Sequence, residues 1–359
     1  MKKIPVAILG ATGMVGQRFV TLLSNHPWFE IVAVAASAKS AGKLYSETVQ
    51  GRWCMDESVP ANVANLTVVD VEADRAIIAQ KARAVFSALN MEAAEICHIE
   101  EAYAAAGVMV VSNNSAHRWT EDVPMIIPEV NAGHLAMIAE QRRRRGWTTG
   151  AIVVKPNCSI QSYVPALTAL AEYQPQEVFV STYQAVSGAG KTLATWPEMA
   201  DNVIPYIGGE EEKSEREPLK IWATFTPNGF VLPKHPIISA QCVRVPVSNG
   251  HLATVNVRFA IKPTGEQILQ AWEKFGNPIA GLNLPSAPKK VLHYFVEDNR
   301  PQTKLDRMIE NGMGVALGRL RSDTIFDWKF IALAHNTVRG AAGGAVLLGE
   351  LLKAKNYLA

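Results

Sequence analysis

The sequence predicts an α/β protein: a parallel sheet covered by helices, of Rossmann type, followed by an α+β region with a mixed sheet. Three observations predict it. Short apolar strands alternate with helical stretches from the N-terminus to about Val154, the pattern of a parallel sheet covered on both faces. A glycine-rich turn, Gly10 to Gly16, directly follows the first strand. Beyond residue 154 the strands become longer and more polar in alternation, which suits an antiparallel or mixed sheet with one face on helices or on another subunit. At roughly 150 residues per domain, 359 residues correspond to two domains.

Taken in order, Val6–Leu9 is the first buried strand, Gly10–Gly16 the turn, and Val15–Leu23 continues at helical spacing. Ile31–Ala36 is a second strand, rich in β-branched residues. Leu66–Val71, Ala84–Ser87 and Val108–Val111 are further strands, with the helical stretch Ala93–Ala106 among them. In the second half, Val178–Tyr183, Gln241–Val247 and Ala253–Ile261 read as strands. Ile160–Tyr173 reads as a helix, and Gly340–Lys355 as one closing helix rich in Ala, Gly and Leu. Gly208–Glu217 reads as a charged loop, and the four arginines Arg142–Arg145 as a solvated basic loop between domains.

Composition excludes several classes. With 48% hydrophobic and 19% charged residues the chain can bury a sizeable core, which intrinsic disorder cannot. Lys+Arg 35 against Asp+Glu 33 gives a net charge of +2, so there is no general electrostatic drive toward nucleic acid or an anionic membrane. The arginine run lacks interleaved aromatics and does not read as a nucleic-acid patch. No apolar run reaches the ~18 residues a membrane helix needs. Met1-Lys2-Lys3 and the apolar residues after it resemble a signal peptide's start, but the run is short and ends in the glycine turn. Four cysteines in 359 residues suit a reducing compartment, and a cytoplasmic location is expected.

Several segments carry chemistry. Gly10-Ala-Thr12-Gly13-Met14-Val15-Gly16 lies between a strand and a helix, where glycines permit close approach of a pyrophosphate to free N–H groups at a helix N-terminus. An NAD-specific site would place an acid about 20 residues beyond this turn. Residues 35–43 hold no acid, and Ser37, Lys39 and Ser40 suit a 2′-phosphate instead, which predicts NADP. Cys158, in Lys155-Pro-Asn157-Cys158-Ser-Ile160, follows an apolar strand and opens a helical segment, so the helix dipole would favour its thiolate. A single cysteine is more often an inert small hydrophobe, and it is the strand–turn–helix setting and the cofactor site upstream that favour the reactive reading.

Arg244 sits in an apolar strand and needs an anionic partner, either a structural carboxylate or a substrate. His251 is seven residues on and could work as an acid/base near neutral pH. A bend at Ser248-Asn249-Gly250 is needed to bring the two together. Gln184, Ser187 and Gly188 end another strand in small residues that permit close approach of a ligand or backbone.

These segments together resemble aspartate-semialdehyde dehydrogenase, in the branch found in archaea, fungi and some bacteria. GATGMVGQRF, SNNSAHRW, IPEVN, KPNCSIQ, YQAVSGAG, GGEEEKSEREPLKI, CVRVPVSNGH and NTVRGAAGGAV carry the resemblance over nearly the whole chain. It implies NADPH-dependent reductive dephosphorylation of L-aspartyl-4-phosphate to L-aspartate 4-semialdehyde, a step toward lysine, methionine, threonine and isoleucine. It implies Cys158 as nucleophile, His251 as acid/base and Gln184 as the residue positioning the acyl intermediate. Arg244 would hold the substrate α-carboxylate, and Glu217 would face its ammonium. Arg118 and Lys220 would bind phosphate, and Asn157 would support the thioester oxyanion or the nicotinamide amide. Asn336 would lie near the nicotinamide, as would the loop with Ser187 and Gly188. No metal is implied.

The resemblance further implies an NADP-binding domain of residues 1–157 and 340–359, a catalytic and dimerisation domain of residues 158–339, and a homodimer or homotetramer. Malonyl-CoA reductase and N-acetyl-glutamyl-phosphate reductase share the fold and the Cys–His pair. The first has no use for a carboxylate facing an ammonium, and the second normally has a different cysteine context. A non-catalytic NADP-binding sensor has no need for Cys158, Gln184, Arg244 and His251 together.

Overall fold

The computed structural model describes residues 2–358. Six strands form the first sheet: β1 (Ile4–Leu9), β2 (Phe29–Ala36), β3 (Val68–Asp70), β4 (Ala84–Ser87), β5 (Met109–Ser112) and β6 (Ala151–Val154). They are ordered β3-β2-β1-β4-β5-β6, and every pair is parallel. All residues of β4, β5 and β6 are buried, as strands covered on both faces must be. The chain runs outward from β1 through β2 to β3, then returns to place β4 on the other side of β1. A crevice therefore opens at the carboxyl ends of β1 and β4, the usual ligand position of a doubly wound sheet. Gly10 lies there with φ +76, and a Cβ on it would meet the Ala88 carbonyl oxygen at 2.3 Å.

Two short strands, β8 (Thr224–Thr226) and β9 (Gly229–Val231), pair as a hairpin. The second large sheet holds β7 (Pro175–Gln184), β10 (Ile237–Arg244), β11 (His251–Phe259), β12 (Leu292–Phe295), β13 (Val315–Ser322) and β14 (Trp328–Ala334). Its order is β10-β7-β11-β14-β13-β12. β10 is parallel to β7 and β12 to β13, and the other pairs are antiparallel, so the sheet is mixed. Alternate residues of β7 and β11 are buried, so one face joins the core and the other carries partly open side chains.

Several elements differ from expectation. β10 ends at Arg244, so Val245 and Pro246 belong to the following bend. Residues 160–173 are not one helix but the 3₁₀ turn Ser159–Ser162, the helix Val164–Thr168 and the 3₁₀ turn Ala171–Tyr173. The closing helix is Gly343–Ala354, preceded by a π-helical turn, Val338–Ala342, in a glycine-rich stretch where π geometry is tolerated. The charged stretch 208–217 is not a loop: Glu210–Ile221 is a helix burying Glu210, Ser214, Glu217 and Ile221 on one face. Arg142–Arg145 form the last turn of the helix Met137–Arg145, closed by Gly146 at φ +67. They complement the C-terminal end of the dipole there, and Arg145 pairs with Asp122 and Glu101.

Candidate active site

The order β10-β7-β11 explains how residues far apart in sequence meet. Gln184 ends β7, in register with Arg244 at the end of β10. β11 runs antiparallel on the other flank of β7 and starts at His251. Gln184, Arg244 and His251 therefore share one end of the sheet. The bend 245–250 joins them, with Gly250 at φ +99 as the backbone reversal requires. Gly188 faces both outer residues. A Cβ built on it would lie 2.8 Å from Arg244 Nη1 and 3.0 Å from His251 Nε2.

The imidazole is fixed from behind. The Ala185 backbone N–H donates to His251 Nδ1 at 3.0 Å, so Nε2 carries the proton of the neutral ring, buried and without a partner among the described residues. Burial first, and then the Arg244 charge, push the imidazole down to about 3, so the ring is neutral at physiological pH. Arg244 is buried and donates from Nη1 to the Ala185 carbonyl at 2.8 Å. Among the described residues no carboxylate pairs with it at ion-pair distance, so the structural partner anticipated for it is not there.

Cys158 follows the buried row 151–157 and is the one partly open residue of that stretch. Its side chain packs against the π turn, where a Cβ on Gly340 would meet Cys158 Cβ at 3.0 Å. The expected dipole stabilisation is not what governs this thiol. The segment after it is a four-residue 3₁₀ turn, and burial together with the Glu210 charge pushes the thiol up to about 11. Lys155, Arg118 and Arg244 oppose that rise, in that order.

Asn157 is already engaged. Its Nδ2 donates to both Glu210 oxygens at 2.9 and 3.0 Å, and its Oδ1 accepts from the Ser159 N–H and hydroxyl. It therefore organises the turn and is not free to hold an oxyanion through its amide. Gln184 Nε2 donates to Glu210 Oε2 at 3.1 Å, so Glu210 lies at the centre of the site. Burial alone would raise the Glu210 carboxyl. Lys213, 2.9 Å away, and the Gln184 and Asn157 amides hold it below the ordinary range.

Glu217 and Lys220 lie elsewhere on this helix than their expected roles require. Glu217 pairs with Arg118 at 2.9 Å and accepts the Asn157 backbone N–H at 2.6 Å. The Lys220 ammonium donates to the carbonyls of Arg118, Thr120 and Val123 at 2.6–3.1 Å. Both are spent on holding the chain together. Glu210 and Lys213 were missed because the segment was read as a loop. The sequence signal is the helical spacing 210, 214, 217, 221 of the residues it buries.

The cofactor crevice fits a dinucleotide. The helix Met14–Leu23 has Gly13 at its N-cap, with no side-chain cap and no acid in its first turn, so its N–H end is open to an anion. A Cβ on Gly16 would meet the Gly10 carbonyl oxygen at 2.1 Å, so strand and helix pack as closely as the turn allows. Thr12, Gly13, Met14 and Val15 remain at least partly open. A cavity runs from Met14 and Arg18 to Ser187, Asn249 and Thr337 and joins this turn to the catalytic end of the second sheet. There Asn336 accepts from the Gly250 N–H and donates to the Ser187 hydroxyl, both at 2.8 Å. Ser37, Lys39 and Ser40 form an open turn directly after β2.

Residues 5–138 match the semialdehyde dehydrogenase NAD binding domain and residues 167–339 the semialdehyde dehydrogenase dimerisation domain. The curated aspartate-semialdehyde dehydrogenase of Archaeoglobus fulgidus is 42% identical over 348 residues, covering 97% of each chain. That of Schizosaccharomyces pombe is 40% identical, covering 98% of this chain and 99% of the relative. The chain belongs to the aspartate-semialdehyde dehydrogenase family. The crystal structure of the Candida albicans family member with NADP matches with a TM-score of 0.88 at 36% identity, covering 99% of this chain and 100% of that one. Aspartate semialdehyde dehydrogenase II from Vibrio cholerae, complexed with ASA, matches with a TM-score of 0.75 at 26% identity, covering 98% of this chain and 99% of that one.

Proposed function

We infer that the chain reduces L-aspartyl-4-phosphate to L-aspartate 4-semialdehyde with NADPH and releases phosphate, a step in the biosynthesis of lysine, methionine, threonine and isoleucine. Family membership at 42% and 40% identity supports the activity, and the NADP-bound relative supports the cofactor. The observation that carries the substrate reading is Arg244. A buried guanidinium with no carboxylate partner among the described residues, facing the same Gly188 as the unpaired imidazole nitrogen and within reach of the Cys158 charge, is a ready fork for the carboxylate of a small substrate.

In this mechanism Cys158 Sγ attacks the acyl carbon, phosphate leaves, and a thioester forms on the cysteine. Bound NADPH supplies the hydride that takes the thioester to the aldehyde level. The proton of the attacking thiol leaves with the phosphate, and His251 Nε2, which carries the proton of the neutral ring because Nδ1 accepts from the Ala185 N–H, donates to the carbonyl oxygen as negative charge develops there; after hydride transfer the thiolate is expelled and the aldehyde forms. Gln184 positions the acyl group. We assign the substrate ammonium to Glu210 rather than Glu217, because Glu210 touches Gln184 and Asn157 while Glu217 is consumed by Arg118. Lys213 takes the place of Lys220 and, with Arg118, provides charge for the phosphate. Ser37, Lys39 and Ser40 receive the 2′-phosphate, and the Ser187–Asn336 contact lies toward the nicotinamide.

Residues 1–157 with 340–359 form the NADP-binding unit, and residues 158–339 the catalytic and dimerisation unit. The closing helix supports this boundary, since Val346, Leu347, Leu348, Leu351 and Leu352 share one core with β1 and the helix Met14–Leu23. The partly open face of the second sheet, with Tyr183 and Ile237 exposed, is the surface through which we place a homodimer or homotetramer. The four unpaired thiols support a cytoplasmic location, and among the described residues no helix is long and apolar enough to cross a membrane. The test is phosphate-dependent NADP reduction with aspartate semialdehyde, run beside malonate semialdehyde plus coenzyme A. Activity on the first pair supports the assignment, and activity confined to the second overturns it in favour of a malonyl-CoA reductase.

A further inference from the structure

We propose that Arg18 is a cofactor-binding residue, its guanidinium holding the pyrophosphate of NADP and supplying the positive charge that the glycine turn lacks. The proposal rests on NADP occupying the crevice at the carboxyl ends of β1 and β4. A pyrophosphate diester carries two negative charges. The N-terminus of the helix Met14–Leu23 offers about half an elementary charge, through N–H groups that no side chain caps. The turn Gly10–Gly16 contains no charged side chain. Most of the phosphate charge is therefore left to be met by a cation from beyond the turn, on a wall of the same cavity.

Arg18 stands on that wall with its charge unspent. It lies four residues after Met14 on the same face of the helix, and both line the cavity that joins the glycine turn to Ser187 and Asn249. Its Nε–H is buried without a hydrogen-bond partner, and among the described residues no carboxylate lies at ion-pair distance from its guanidinium. Asp56 is the one acid lining the cavity, so Arg18 and Lys191 against Asp56 leave the lining with one positive charge in excess. Lys191 is exposed and rests over the Trp196 ring, 4.2 Å from its centre, whereas Arg18 is half-buried. Arg307, which reaches the Ser248–Asn249 end of the cavity, is already hydrogen-bonded there at 3.3 and 3.2 Å. The residue beside Arg18 holds the wall in place. Gln17 Nε2 donates to the Thr12 and Arg52 carbonyls at 3.1 and 3.0 Å, and its Oε1 accepts the Cys54 N–H at 2.9 Å. Gln17 thus ties the glycine turn to the segment whose Cys54, Met55 and Asp56 line the cavity with Arg18.

The test is calorimetric titration of NADPH, NADH and adenosine 2′-monophosphate into the wild type, Arg18→Lys and Arg18→Gln. Both dinucleotides contain the pyrophosphate, and the nucleotide fragment does not. We expect Kd in Arg18→Gln to rise about tenfold or more for NADPH and NADH alike, with adenosine 2′-monophosphate unchanged and a smaller loss in Arg18→Lys, which keeps the charge without the planar fork. Dinucleotide affinities in Arg18→Gln within about twofold of wild type overturn the proposal. A loss shared by NADPH and adenosine 2′-monophosphate but not by NADH also overturns it, and moves Arg18 to the 2′-phosphate. If neither variant folds, the wild type is treated with phenylglyoxal and its arginine peptides are read by mass spectrometry. NADP should protect Arg18 and adenosine 2′-monophosphate should not, and modification of Arg18 that NADP leaves unchanged overturns the proposal. Failure of the wild type to bind NADPH at all would instead remove the cofactor reading on which the proposal rests.

Discussion

Gly188→Ala isolates the geometry of the site from the fold. Gly188 lies in the 3₁₀ turn Val186–Ala189 and is not among the glycines with positive φ, so alanine fits its backbone. The added methyl would stand 2.8 Å from Arg244 Nη1 and 3.0 Å from both Cε1 and Nε2 of His251. Carbon contacts settle near 3.5 Å, so both side chains must withdraw by about half an ångström, or one of them by more. The imidazole is tied to the Ala185 N–H and the guanidinium to the Ala185 carbonyl, so neither can move without breaking its support. Displacements on the order of 1 Å can cost about 10²-fold in rate, which corresponds to about 2.7 kcal/mol of transition-state stabilisation. Steady-state kinetics should show kcat/KM for the amino-acid substrate lowered about 10²-fold, while Tm stays near wild type. A variant within about threefold of wild type would refute the claim that Arg244 and His251 act together on one substrate across Gly188.

The two glutamates of the helix Glu210–Ile221 should separate cleanly. Glu210→Gln should raise KM for the amino-acid substrate with little loss of Tm. Glu217→Gln strips the buried Arg118 of its partner and should cost about 3 kcal/mol in denaturant unfolding, and the reverse pattern would restore Glu217 to the substrate. His335 is held down to about 3 by burial and by the Arg18 and Arg307 charges. Its folded value lies below the unfolded one, so the unfolded chain binds the extra proton, and stability falls as pH drops below about 6.5. The contribution is about 2 kcal/mol between pH 7 and pH 5, and His335→Asn should reduce the acid-induced loss by about that much, whereas an unchanged pH slope contradicts it. Ser37→Asp should weaken NADP relative to NAD, because a carboxylate repels the 2′-phosphate; unaltered preference places the 2′-phosphate elsewhere.

Much of this was legible in the sequence where local physics and tertiary structure agree. The strand before Gly10, the glycine turn and the acid-free loop at 37–40 are set by their immediate neighbours, and they fold as their residues suggest. The meeting of Arg244 and His251 was tied to a bend at Ser248-Asn249-Gly250, but what brings Gln184 to the same end is sheet order: β7 lies between β10 and β11, and nothing local to residues 244–251 encodes that. The stretch 208–217 misled because its glutamates, with Lys213 and Arg216, suggest solvent, while the fold buries Glu210 and Glu217 through partners distant in sequence, Asn157, Gln184 and Arg118. The same holds for Lys155. Its burial depends on the closing helix, whose Gly344 leaves room for it nearly two hundred positions downstream. Side-chain charge reports where a residue prefers to be, and only the assembled core shows which charges have been given partners inside it.

Covalent catalysis at Cys158 is the central claim, and a trapping experiment meets it most directly. The protein is mixed with L-aspartyl-4-phosphate in the absence of NADPH, quenched in acid and examined by intact and peptide mass spectrometry. The account predicts release of phosphate together with one aspartyl group on the peptide carrying Cys158. That adduct should disappear when NADPH is added and should be absent from Cys158→Ala. Product formation by an enzyme that never carries the adduct, or an adduct on Cys54, Cys97 or Cys242 instead, would contradict it.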